Sequence, residues 1–197
     1  MKVLLLQGSF NKDGNTKQFS LPFAKELKRL GAELREEWLC DYNIAPCRGC
    51  RACQFKIGET GCVQQDDFTL LFDMISDADV VVLASPIYIG GFPGHVKSFI
   101  DRLTYSAIKL YGDVKAPSLV PGKGFAALIT CGAPPKMMFD AVEVNVNIMC
   151  KRLEWSWLGW SGGTDPGKPL VFMNEKKAAR AREFAAELVQ KYTELKA

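Results

Sequence analysis

Apolar residues in this chain fall into two alternating patterns. Val3-Leu4-Leu5-Leu6, Val80-Val81-Val82-Leu83-Ala84 and Phe125 to Cys131 are continuous runs, as expected of strands buried on both faces of a parallel sheet. Between them the period lengthens. Phe19, Phe23, Leu27 and Leu30 share one helical face, and Gly31 ends the pattern. This reading predicts strands at 2–8, 33–39, 79–85, 125–131 and 154–160. It predicts helices at 15–30, from Asp66-Asp67 through about Ser76, from Pro93 to about Leu103, after Pro134 through about Leu153, and at 174–195. Residues 105–123 read as irregular. Residues 40–63 read as a long cysteine-bearing loop, a length that in a compact domain is usually functional. The whole chain, 1–197, reads as one domain. Alternating β and α units predict an α/β fold, a doubly wound five-stranded parallel sheet of order 2-1-3-4-5 with helices on both faces.

In such a flavodoxin-like sheet, ligands bind at the carboxyl ends of the strands, at the switch between strands 1 and 3. Loops 8–16, 86–91 and 130–134 all leave that edge. The first, Gly8-Ser9-Phe10-Asn11-Lys12-Asp13-Gly14-Asn15-Thr16, has neither the Gly-x-Gly-x-x-Gly spacing of dinucleotide sites nor the Gly-Lys-Ser/Thr ending of triphosphate loops. It is instead rich in side-chain donors and opens onto a helix N-terminus. That combination suits a terminal phosphate with three free oxygens. The alternative is a polar turn that merely caps the helix through Asn15 or Thr16. In the second loop, Tyr88 offers a flat ring, and Gly90 and Gly91 allow close backbone approach.

Composition narrows the function classes. The net charge of +3, with no basic run, gives no ground for a nucleic-acid partner. No apolar stretch is long enough for a membrane span. No small-residue cleavage pattern follows the first apolar run, so no export signal is expected and the expected location is cytoplasmic. Seven cysteines in a reducing compartment are not expected to form disulfides. Four of them crowd into Cys47 to Cys62, which points to metal or redox chemistry.

These motifs resemble the NADPH-dependent FMN reductase family. The first loop is similar to that family's flavin-phosphate motif, usually Gly-Ser-Pro-Arg-Lys-x-Gly-Asn-Thr. Asp77-Ala78-Asp79 through Ser85-Pro86-Ile87-Tyr88-Ile89-Gly90-Gly91, and on to Lys97-Ser98-Phe99-Ile100-Asp101-Arg102, resembles its second signature. Cys47-Arg48-Gly49-Cys50-Arg51-Ala52-Cys53, with Gly61-Cys62 and Asp66-Asp67, resembles the iron–sulfur flavoprotein branch. The resemblance covers residues 1–135. It implies bound FMN, with Ser9, Asn11, Lys12, Asn15 and Thr16 on the phosphate. Pro86, Ile87, Tyr88, Ile89 and Gly90 would line the isoalloxazine, and Thr130, Cys131 and Gly132 would close its other edge. Phe10 and Asn11 stand where the family usually has Pro and Arg. Losing that arginine removes a charge-assisted contact, which Lys12 replaces in part.

Cys47-x2-Cys50-x2-Cys53, with Cys62 as fourth ligand, suits a [4Fe–4S] cluster. Four thiolates suit zinc equally, and reduced thiols in a loop remain the third reading. The last gap holds eight residues, Gln54 to Gly61, where the iron–sulfur branch usually has about five. His95, the only histidine, reads as a solvated helix-end residue. Trp155, Trp157 and Trp160 read as core or subunit contact, and Cys40 and Cys150 as small buried residues.

The expected activity is an FMN-dependent oxidoreductase, with electrons moving between NAD(P)H, or a ferredoxin-type donor if a cluster is present, and an acceptor the sequence does not name. The flavin does the chemistry, so no catalytic side chain is assigned. Alternatives are a flavodoxin-like electron carrier, though such carriers tend to be acidic, and a zinc-bearing interaction module, which leaves the first loop unexplained. The family resemblance implies a homodimer or homotetramer.

Overall fold

A computed structural model describes residues 1–110, 116–167 and 171–197. Five strands, β1 (Lys2–Gln7), β2 (Glu33–Trp38), β3 (Val80–Pro86), β4 (Gly124–Cys131) and β5 (Ser156–Thr164), alternate with α1 (Asn15–Arg29), α2 (Phe68–Asp77), α3 (Gly94–Ala107), α4 (Pro135–Leu153) and α5 (Glu175–Lys196). All four strand pairings are parallel, in the order β2-β1-β3-β4-β5. This is the expected doubly wound topology.

The continuous apolar runs explain why the sheet is covered twice. Neighbouring residues of one strand point to opposite faces. Leu4, Leu6, Val81, Leu83, Ala127 and Ile129 join the core built with α2, α3 and α4. Val3, Leu5, Val80, Val82, Ala126 and Leu128 join the core built with α1 and α5. The edge strand β2, Glu-Leu-Arg-Glu-Glu-Trp, is the exception, being charged and only part-buried. Charge on an edge discourages pairing with another chain.

Element limits differ from the expected ones where a side chain has a local role. Helix α3 runs to Ala107 rather than to about Leu103, and β5 covers Ser156–Thr164 rather than 154–160. Residues 111–115, part of the stretch expected to be irregular, lie outside the described residues. The cysteine loop is not featureless, since it carries 3₁₀ turns at Leu39–Asp41 and Ala52–Phe55. Trp155 is buried, and Trp157 and Trp160 pack on the same core. The tryptophans are therefore core residues.

The exit of β1 is tightly confined. The Gly8 amide donates to the Ala84 carbonyl at 2.7 Å. A Cβ on Gly8 would lie 2.8 Å from Val96 Cγ2 and 3.1 Å from Ser85 Oγ. Only glycine lets the chain leave β1 between β3 and α3.

Phe139 anchors α4 to β5. It is 1% exposed and stacks on Trp157 and Trp160, with ring centroids 5.6 and 4.8 Å away. Phe139→Ala is expected to destabilise the fold by about 3–5 kcal/mol, read as a lower denaturation midpoint in urea.

Candidate functional site

Three loops meet at the carboxyl edge and are bonded to one another. Thr16 and Thr130 share a buried hydroxyl–hydroxyl hydrogen bond of 2.8 Å, joining the first loop to the third. The Ile87 amide donates to the Thr130 carbonyl at 2.9 Å, joining the second to the third. The meeting of distant segments expected from topology is thus made by hydrogen bonds to a single threonine.

The first loop is internally ordered. The Asn11 amide donates to Ser9 Oγ at 3.1 Å, the Asp13 amide to Asn11 Oδ1 at 3.1 Å, and the Gly14 amide to the Asn11 carbonyl at 3.1 Å. Helix α1 then starts with Gly14 at its cap position and no side-chain cap. The alternative, that Asn15 or Thr16 merely caps the helix, does not hold. The first amides of α1 have no acceptor within the helix, and its positive end opens onto the loop. Helix α5 differs, since the Asn174 side chain accepts from the Lys177 amide.

Lys12 and Lys17 flank this loop, but each already holds a carboxylate. Lys12 Nζ lies 2.6 Å from both Asp41 oxygens, and Lys17 Nζ lies 2.6 and 2.7 Å from those of Glu36. With both Asp41 oxygens bonded, the Lys12 ammonium keeps a third N–H for another acceptor.

In the second loop the main chain and the side chains part company. Pro86 and Ile87 are buried, so these two offer only backbone at the edge. Tyr88 is 64% exposed and Ile89 fully so. The Tyr88 and Gly91 backbones exchange both hydrogen bonds, 2.9 and 3.0 Å, across Ile89 at φ 48° and Gly90 at φ 69°. A two-residue turn of this kind needs positive φ at both centres, which suits Asn-Gly and strains a β-branched residue. Ile89 therefore combines an unfavourable backbone with an uncovered apolar side chain at the edge where a ligand is expected. In the third loop Gly132 is exposed, while Cys131 is buried and its thiol donates to the Ala133 carbonyl at 3.0 Å. Burial pushes that thiol up from its ordinary pKa.

His95 is not a solvated residue. It packs on Phe10, with ring centroids 4.2 Å apart, and its Nε2 is buried with no hydrogen-bond partner among the described residues. Burial lowers its pKa, and a hydrogen bond to the Gly8 backbone opposes the shift. Cys40 is likewise only part-buried, with its thiol 3.8 Å from the Ser9 carbonyl. Cys150 is buried as expected.

The cysteine loop is a second site. Cys47, Cys50, Cys53 and Cys62 line one narrow cavity of about 20 Å3 together with Arg102. Asp66 and Asp67 sit just before the first turn of α2, with Asp67 at the cap position and Asp66 Oδ1 accepting from the Phe68 amide at 3.2 Å; they also tie the two ends of the loop together. Asp67 Oδ2 accepts from the Asn43 amide at 2.8 Å, and Asp66 Oδ2 from the Ala45 amide at 2.9 Å. Arg102, 2% exposed, forks onto Asp66 at 2.6 and 3.0 Å and donates to the Ala45 carbonyl at 3.0 Å. Its Nε is buried and unpartnered among the described residues, beside Cys62. Lys109, 1% exposed, donates to the carbonyls of Cys53 at 2.8 Å and Thr60 at 3.1 Å. Burial lowers its pKa, with Cys53, Glu59 and Cys62 opposing. Among the described residues, no three His, Cys, Asp or Glu side chains are placed to hold a metal ion. The thiols are gathered but not in ligating positions, so the [4Fe–4S] expectation is not supported by this geometry.

A sequence model of the NADPH-dependent FMN reductase family matches residues 1–143. The chain belongs to this family. Among curated relatives, an iron-sulfur flavoprotein of Archaeoglobus fulgidus is 36% identical over 132 residues, 67% of this chain and 60% of the relative. An iron-sulfur flavoprotein of Methanosarcina thermophila is 28% identical over 102 residues, 52% of each chain. The chain thus spans about half to 60% of the length of the curated relatives it matches. Among solved structures, RosB with bound 8-demethyl-8-formylriboflavin-5'-phosphate superposes with a TM-score of 0.74 at 17% identity, covering 99% of this chain and 78% of RosB. NAD(P)H:quinone oxidoreductase from Methanothermobacter marburgensis gives 0.68 at 16% identity, covering 94% of this chain and 97% of the other. These likenesses show the fold.

Within this FMN reductase family member, sequence reasoning missed Asp66, Arg102 and Lys109 as the framework of the cysteine loop. One signal was available. Arg102 falls on the same helical face as Val96, Phe99 and Leu103, and a cation on an apolar stripe needs a buried partner. Nothing comparable marked Lys109, which follows the end of α3.

Two outcomes are expected. Ile89→Asn relieves the strained turn and raises stability by about 1 kcal/mol, read as a higher denaturation midpoint. Burial raises the Asp66 pKa, but Arg102 and the Ala45 and Phe68 amides outweigh it and hold the carboxyl below its ordinary value. The pair therefore contributes its full stability above the ordinary carboxylate range and loses it as pH falls through the depressed value. Asp66→Asn is expected to cost about 3–5 kcal/mol at neutral pH and to flatten that part of the acid-unfolding curve.

Proposed function

We propose that this chain binds FMN at the carboxyl edge of the sheet and works as an NAD(P)H-dependent flavin oxidoreductase. The observation that carries the reading is the uncapped N-terminus of α1, opening onto the donor-rich loop that Thr16 ties to Thr130. Ser9, Asn11, Lys12, Asn15 and Thr16 hold the phosphate, with amides and hydroxyls doing most of what an arginine does elsewhere in the family. The main chain of Pro86, Ile87 and Gly90, with the side chains of Tyr88 and Ile89, flanks one side of the isoalloxazine, and Thr130, Cys131 and Gly132 flank the other. Covering Ile89 with a flat ring offsets the cost of its exposure. Bound FMN accepts a hydride and releases electrons singly or in pairs. The chain's own residues bind and orient, and no side chain here is assigned as acid or base.

The relatives' name supports a second cofactor, an iron–sulfur cluster on Cys47, Cys50, Cys53 and Cys62. The donor chemistry and the gathering of four thiols on one cavity agree with it. The sulfurs must draw inward to ligate, as metal sites commonly do on binding. A cluster would make a ferredoxin-type donor suitable. The carrier and zinc-module readings have no observation that favours them.

Purified protein with added FMN is expected to retain flavin through desalting and to bleach on mixing with NADPH. A protein that retains none overturns the reading. Thr16→Val is expected to weaken FMN binding about tenfold, the worth of one hydrogen bond to a charged group, measured by flavin fluorescence quenching.

A further inference from the structure

Eight residues separate Cys53 from Cys62, yet the chain brings the two to the same cavity. Lys109 accounts for this. Its ammonium bonds the carbonyls of Cys53 and Thr60 at once, at 2.8 and 3.1 Å, so it bridges the neck of the Gln54–Gly61 segment. The segment then loops outward, leaving Phe55 and Ile57 exposed. Gly61 closes the neck from the other side. It has φ 61°, and a Cβ there would lie 2.3 Å from Lys56 Cβ and 3.3 Å from Cys53 Cα, so only glycine fits. Gln54 completes the pin, donating to the carbonyls of Tyr105 at 2.6 Å and Ile108 at 3.1 Å.

The charge of Lys109 also needs explaining. Buried cations are normally paired, and Arg102 has Asp66. Among the described residues Lys109 forms no ion pair with a carboxylate; its ammonium is met by the carbonyls of Cys53 and Thr60.

We propose that Lys109 is a positioning residue for the cysteine site: it ties the ends of the Gln54–Gly61 segment so that Cys62 returns beside Cys53. The test uses the full chain with Lys109→Met, which keeps the stem but not the charge or the donors, and Lys109→Arg, which keeps the charge. In reduced, metal-free protein lacking Cys47 and Cys50 (Cys47→Ser, Cys50→Ser), dibromobimane becomes fluorescent only when it bridges two nearby thiols. Lys109→Met and, independently, Gly61→Ala are expected to lower the Cys53–Cys62 bridging rate about tenfold, with Lys109→Arg recovering much of it. FMN binding, which rests on other loops, reports that each variant is folded. Equal bridging rates in folded wild type and Lys109→Met overturn the proposal.

Discussion

Burial of both faces of a parallel sheet is the constraint from which the rest follows. Once β1, β3 and β4 are apolar on both sides, helices must cover both, and every crossover must return the chain to the same starting edge. Every loop that leaves a strand then opens on the opposite edge. Three such loops have little choice but to meet there, and the Thr16–Thr130 hydrogen bond locks a juxtaposition that the topology has already made. Binding chemistry can therefore be concentrated in loops whose own sequences are short and polar.

The two sites solve different electrostatic problems. The sheet edge offers neutral donors and a helix end, with nearby lysines neutralised by Asp41 and Glu36. At the cysteine loop, the cations are buried. Arg102 is held by Asp66 and packs on the Phe68 ring at 4.5 Å, and Lys109 is held by two carbonyls. A buried ion pair contributes little net stability but is costly to break, so Arg102–Asp66 acts more as a fixed hinge-pin for the loop than as a source of stability.

The sheet order and the convergence of the loops were legible because they depend on runs of residues and on direction, which a linear pattern records. The donor-rich character of Gly8–Thr16 was legible for the same reason. The Lys12–Asp41 pair was not, because it joins residues on separate elements whose approach depends on how β2 exits. His95 was misread because Phe10 of the first loop packs on its ring at the start of α3, a contact between distant segments with no sequence period. The roles of Asp66 and Asp67 were only half read: acids before a helix usually serve that helix, as Asp66 does for the Phe68 amide, but here the same carboxylates also hold the far end of the long loop. The gathering of four cysteines was legible from spacing; whether their sulfurs converge depends on the path of the Gln54–Gly61 segment, which spacing does not record.

Helix α3 links the two sites physically. Its second residue, His95, touches Gly8 and Phe10. Its later turns carry Arg102 and Tyr105, and Lys109 follows directly beyond it. Fourteen residues make a rod of roughly 21 Å. The helix is thus a rigid spacer, which sets the separation between the first loop and the thiol loop.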